Sequence, residues 1–137
     1  MQNTTFTLAY WCVLVAALLP IVCAGVAKSG RFGVPRKDGG YDNVNPREWL
    51  ARQTDWRARA NAAQANSFEA LPFFIGAVVI AHQLGAAGGW VDALAVLFVL
   101  LRVLYVVTYV SGKAAVRSVL WIAALAVNIG ILLVGYH

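Results

Sequence analysis

Arg59, Asn66 and Glu69 are separated by seven and three residues, so on a helix they share one face. Arg102, Tyr105 and Tyr109, at intervals of three and four, make a second such face, and Arg117 follows eight residues later. Guanidinium groups clamp carboxylates, a carboxylate takes up an ammonium, and phenols and an amide supply further hydrogen bonds. Such a set suits a small anionic substrate. All of these residues lie in or beside long apolar runs, where an ionisable group is costly and by default marks a functional site. Glu69 and Arg102 alone could neutralise each other as a buried pair that holds register. Tyr105 and Tyr109 alone could be interfacial aromatics. Neither reading accounts for the asparagine and the further arginines on the same faces.

The elements that position these groups follow from composition. The chain has 137 residues, of which 61% are hydrophobic and 12% charged. A soluble domain carries roughly 25% charged residues, so half the usual charge cannot cover the surface of a water-soluble globule. A disordered chain, a collagen-like repeat and a disulfide scaffold are excluded as well, with two Cys and four Pro in the chain. Four apolar stretches, at about 6–27, 60–84, 90–110 and 114–136, are each near the length of a membrane-crossing helix. None shows the alternation of a membrane β-strand. The expected fold is an all-α integral membrane protein, a four-transmembrane-helix bundle with residues 1–137 as one domain. No Lys or Arg precedes the first stretch, which reads as a permanent span rather than a signal peptide.

Charge placement sets the expected topology. Of the 11 Lys and Arg, eight fall between Lys28 and Arg59, while Lys113 and Arg117 flank the third connection. Basic loops stay in the cytoplasm, so the loop at about 28–59 is expected to face inward and both termini outward. The net charge of +5 is a topology signal first, and it also suits anionic lipid or an anionic small substrate. No basic-aromatic module accompanies it, so nucleic-acid binding is not expected. Within the loop, Asp42-Asn43 and Asn45-Pro46 read as turn and cap chemistry, and Pro46-Arg47-Glu48-Trp49-Leu50 as a short interfacial helix with Trp49 at headgroup depth.

Depth ties the two polar faces together. With the first and third loops on one side, Glu69 lies ~13 Å and Arg102 ~12 Å in from the same membrane face. Asn66 and Tyr105 form a shallower tier, and Arg59, Tyr109 and Arg117 the rim. His82 and His137 fall at the opposite side, so neither a metal nor a haem site is expected. Asn128 reads as an interhelical hydrogen-bonding residue. Cys12 and Cys23, 11 apart on one helix, are too distant to bridge and read as small apolar span residues.

In this order, Asn66-x-x-Glu69-x-x-Pro72, Arg102-x-x-Tyr105-x-x-x-Tyr109 and Arg117 resemble the MAPEG family, the membrane-associated proteins in eicosanoid and glutathione metabolism. The resemblance covers all four spans. Asp42-Asn43-x-Asn45-Pro46-Arg47 and Arg57-Ala58-Arg59-Ala60 look similar to its bacterial branch, which implies an inner-membrane location. The resemblance implies a homotrimer with glutathione bound between neighbouring subunits as co-substrate. The implied binding residues are Asn66, Glu69, Tyr105 and Tyr109, with Gln64 a weaker match, and Arg117 is implied to stabilise the thiolate. Ala62 stands where many members have an Arg, and Arg59 one turn earlier is its expected substitute. The Tyr109-to-Arg117 spacing is one residue longer than in the leukotriene-forming members.

The expected activity is that of a glutathione-dependent transferase or peroxidase, acting on apolar electrophiles or lipid hydroperoxides that arrive through the bilayer. The alternative is a non-catalytic lipid- or partner-binding protein on the same scaffold, a class the family also contains. A small proton-coupled transporter fits less well, because such proteins need a carboxylate at mid-membrane and the first span has no charged residue.

Overall fold

The computed structural model describes residues 5–136, and within them the chain is helical with no strand. Helix α1 spans Leu8–Lys28, a short 3-10 turn spans Arg36–Asp38, and α2 spans Pro46–Ala51. The remaining helices are α3 (Asp55–Gln83), α4 (Gly89–Val110) and α5 (Ala114–Val134). Helices α1, α3, α4 and α5 are the four long and apolar enough to cross a membrane. His137 lies outside the described residues.

Helices α3 and α4 form the middle of the bundle, each packed against the other and against both α1 and α5. In lipid there is little hydrophobic drive between helices, so close approach through small residues has to hold them. Ala9 and Ala16 of α1, Ala77 and Ala81 of α3, Ala95 of α4 and Ala124 of α5 supply it, all buried in one cluster. Phe74 and Phe98 stack face to face within that cluster, with centroids 4.2 Å apart. Leu14, Leu18, Ile21 and Val22 are exposed along α1, the apolar exterior that a bilayer requires.

Helix α3 starts at Asp55, five residues before the expected span, and tertiary contacts explain the extension. Arg57 donates to the carbonyls of Ala27 and Ser29 at 2.8 and 2.6 Å, and Arg59 donates through Nε to the carbonyl of Val110 at 3.0 Å. The first turns of α3 therefore satisfy the orphan carbonyls at the ends of α1 and α4, where positive charge also suits the helix dipole. These contacts tie three helices together at the end of the bundle that carries the basic loop.

The loop between α1 and α2 is built around Asp42. Its carboxylate accepts the backbone N–H groups of Val44 and Asn45 at 2.9 and 3.3 Å and pairs with Arg36 at 3.2 Å. Those contacts, the Val44 N–H first, hold the carboxyl below the usual carboxylate range. Gly40 is fixed by space, since a Cβ there would sit 1.8 Å from the Val34 carbonyl oxygen. The short helix α2 forms where Pro46 was expected to open it. Trp49, read as lying at headgroup depth, is covered by protein at that end of the bundle. It is buried with Ala27, Leu50 and Ala60, its ring edge-on to Tyr41. The loop folds back on the bundle and encloses the indole.

Candidate functional site

Six of the polar residues singled out by spacing form one connected series along the groove between α3, α4 and α5. It begins at Arg117, whose guanidinium carbon lies 4.5 Å from the centroid of the Tyr109 ring. Tyr109 meets Tyr105 edge-on at 5.6 Å. Arg102 lies over the Tyr105 ring at 4.1 Å and donates through Nη2 to Asn66 Oδ1 at 2.8 Å. Asn66 in turn donates through Nδ2 to Glu69 Oε2 at 3.4 Å. The intervals of three and four in α3 and α4 produce this series by stacking successive side chains on one face.

The tight turn between α4 and α5 completes it. Gly112 adopts φ +78°, the left-handed conformation that favours glycine, and Lys113 N–H reaches back to the Thr108 carbonyl at 2.9 Å. That turn swings the first turns of α5 back over α4, so Arg117 reaches Tyr109 despite the longer spacing.

Charge along the series is poorly balanced. Arg102 is 3% exposed, yet it makes no ion pair among the described residues. The alternative of a neutralising pair with Glu69 is not formed, because Asn66 sits between them and Glu69 is exposed. A buried guanidinium held by one amide and one ring face leaves most of its donors unbonded. Asn66, Tyr105, Tyr109 and Arg117 line an open hollow of about 340 Å³ with Ser118, Trp121 and Ile122. Below it, Asn66, Glu69 and Arg102 edge a second cavity of about 180 Å³ that also shares Trp121.

Two expected site residues lie elsewhere. Arg59 is engaged through Nε with the Val110 carbonyl and packs against Gly112. Gln64 is two residues from Asn66, about 200° around the helix, and so faces the other way. It lines a hollow of about 450 Å³ with Arg47, Asn61 and Ala62 on the outer side of α2 and α3. Asn128 also departs from expectation. It is 3% exposed, but among the described residues its amide makes no interhelical hydrogen bond and Oδ1 has no partner.

Trp121 and Asn128 were not readable as site residues from spacing within α3 and α4. Their signal was on α5, where Arg117, Trp121, Ala124 and Asn128 recur at four, three and four.

The chain matches the family model described as the MAPEG family over residues 8–136. It belongs to the MAPEG family. It is thus an integral, multi-pass membrane protein of a family tied to glutathione and eicosanoid metabolism, with an all-helical fold to match. No curated protein and no solved structure gives a significant match. Within this MAPEG chain, the connected series is carried by the residues of the family-like motifs themselves. Pro72, the last residue of the Asn66 motif, has no N–H, so it leaves the Phe68 carbonyl, two residues beyond Asn66, without its helical donor.

Proposed function

We propose that this MAPEG protein is a glutathione-dependent transferase or peroxidase acting on apolar electrophiles or lipid hydroperoxides. The observation that carries the reading is the unbalanced cationic series from Arg117 to Arg102, opened on one side to a hollow and joined below to an apolar cavity. Glutathione carries two carboxylates, an ammonium and a thiol. Arg102 and Arg117 match the anionic groups, Glu69 the ammonium, and Asn66, Tyr105 and Tyr109 the polar backbone of the tripeptide.

A free thiol of pKa ~8.5 is only a few per cent ionised at neutral pH. A guanidinium beside the sulfur favours the thiolate, which then attacks an electrophilic carbon to form a thioether as the leaving group departs. With a hydroperoxide, the thiolate takes the terminal OH to give the sulfenic acid and an alkoxide that draws a proton from water, and a second glutathione thiol converts the sulfenic acid to disulfide and water. Arg117 is the group proposed to hold the thiolate.

The opposite faces of α3 fit the homotrimer that the family resemblance implies. The hollow containing Arg117 and the one containing Arg47, Asn61 and Gln64 lie on different sides of one subunit. A closed ring of copies sets the first against the second of its neighbour, so Gln64 completes the site across the boundary. The distribution of Lys and Arg supports a cytoplasmic basic loop with both termini outside, and the likeness of the loop motifs to the bacterial branch supports an inner membrane.

A non-catalytic scaffold is the rival reading, favoured by Ala62 and by the engagement of Arg59 with Val110. Turnover assays with a halonitroarene and a lipid hydroperoxide, run beside native mass spectrometry, decide between them. A trimer that consumes glutathione with either acceptor supports the proposal. A protein that binds glutathione and turns over neither is the scaffold.

A further inference from the structure

The cavity of about 180 Å³ below the glutathione series holds a polar group that the proposed chemistry leaves unused. Apart from the polar residues at its edge, its walls are apolar, with Phe73, Phe98 and Trp121 contributing aromatic surface. Asn128 lines it, 11 residues and so about 16 Å along α5 from Arg117. The Asn128 amide is buried at 3% exposure, and its Oδ1 is without a hydrogen-bond partner. An unpaired buried amide in an apolar setting is costly, and a polar group entering the cavity would relieve that cost.

We infer that this cavity is the acceptor chamber, and that Asn128 selects compact aromatic acceptors that carry a hydroxyl at the end remote from the reacting carbon. The inference rests on the transferase reading above. Size supports it, since an apolar cavity of about 150 Å³ takes up benzene, so this one holds a single substituted ring. Placement supports it too. The cavity shares Asn66 and Trp121 with the hollow that contains Arg117, so an acceptor seated on Asn128 directs its other end toward the thiolate. A hydroxyl is the matching group because it both donates and accepts, as the two ends of an amide require. For an aryl enone, the thiolate adds to the β-carbon, the π pair moves to the carbonyl oxygen, and the enolate takes a proton from water. No oxidant is needed.

The test uses the intact assembly in nanodiscs, with 4-phenyl-3-buten-2-one and its 4-hydroxyphenyl analogue as probes. Binding is measured by equilibrium dialysis without glutathione, with empty nanodiscs correcting for partition into lipid. Asn128→Leu is expected to weaken the hydroxylated probe roughly three- to tenfold relative to the unsubstituted one, the range for one lost hydrogen bond. Glutathione affinity should not change. Leu125→Trp, on the exposed rim of the cavity, should weaken both probes and serves if Asn128→Leu fails to fold. An unchanged preference in Asn128→Leu, or probe binding unaffected by Leu125→Trp, overturns the inference. Because these arms contain no glutathione, they fail separately from the transferase reading, which falls if the parent does not bind glutathione.

Discussion

The two ends of the bundle treat their polar residues in opposite ways. At the end remote from the basic loop, Thr7, His82 and Asp92 all find polar partners. Val78 O can only accept, so His82 Nδ1 carries the proton and donates to it at 2.7 Å, and Nε2 accepts from the Thr7 hydroxyl at 2.7 Å. Tyr10 stacks on the imidazole at 4.2 Å, and Asp92 accepts the Ala9 N–H at 2.9 Å at the start of α1. In the groove at the basic end, among the described residues, Arg102 is buried without a carboxylate, Glu69 is exposed without a cation, and Arg117 is held by a ring face. Polar groups that hold a membrane bundle together satisfy one another. Those of the groove do not.

The contrast sharpens most at Arg117. Its replacement by Leu is expected to lower turnover roughly 30- to 150-fold, the equivalent of a lost charge-assisted contact, while glutathione affinity stays within several-fold. Steady-state kinetics and calorimetric binding separate the two. Equal losses in both would make Arg117 a binding residue only.

Glu69→Gln comes next. Its single contact to Asn66 is long, at 3.4 Å, so the apo protein should melt at nearly the parent temperature. Glutathione should bind about tenfold more weakly, because the ammonium loses its counter-charge. If instead the apo protein is strongly destabilised and affinity is unchanged, the groove is structural like the opposite end.

His82→Phe tests that opposite end. The ring stack with Tyr10 survives, but both hydrogen bonds are lost, at a cost of about 1–2 kcal/mol. Thermal denaturation should register the loss, with glutathione affinity untouched. A drop in affinity would join the two regions and break the comparison.

The smallest effect belongs to Asp42. Its carboxyl is held below the ordinary range by the Val44 N–H above all. A depressed carboxylate contributes fully above its unfolded pKa and is lost as pH falls through the folded one, so the loop should stay ordered at neutral pH and loosen only in acid. Amide exchange at Val44 and Asn45 should quicken in Asp42→Asn at neutral pH, with no change in the spans.

The spans and the faces of α3 and α4 were legible because helical spacing alone decides which side chains stack. The series from Arg102 to Tyr109 is that spacing realised. What spacing could not carry was the choice of partner. Arg59 shares a face with Asn66, but the exposed carbonyls at the end of α4 lie nearer and take it. Asn66 came between Arg102 and Glu69 because its short amide offers both an acceptor and a donor, and depth along the membrane does not resolve which of two neighbours bonds. Gln64 could have been separated from Asn66 by its angle. Trp49 could not have been placed inside, since that follows from how the loop folds back.

The most direct measurement is the ultraviolet absorbance of the thiolate when glutathione is added to the purified protein at neutral pH. A saturable thiolate band is expected for the parent, lost in Arg117→Leu and retained in His82→Phe. A parent that binds glutathione with no band would contradict the account, as would a band that survives in Arg117→Leu and disappears in Arg102→Leu.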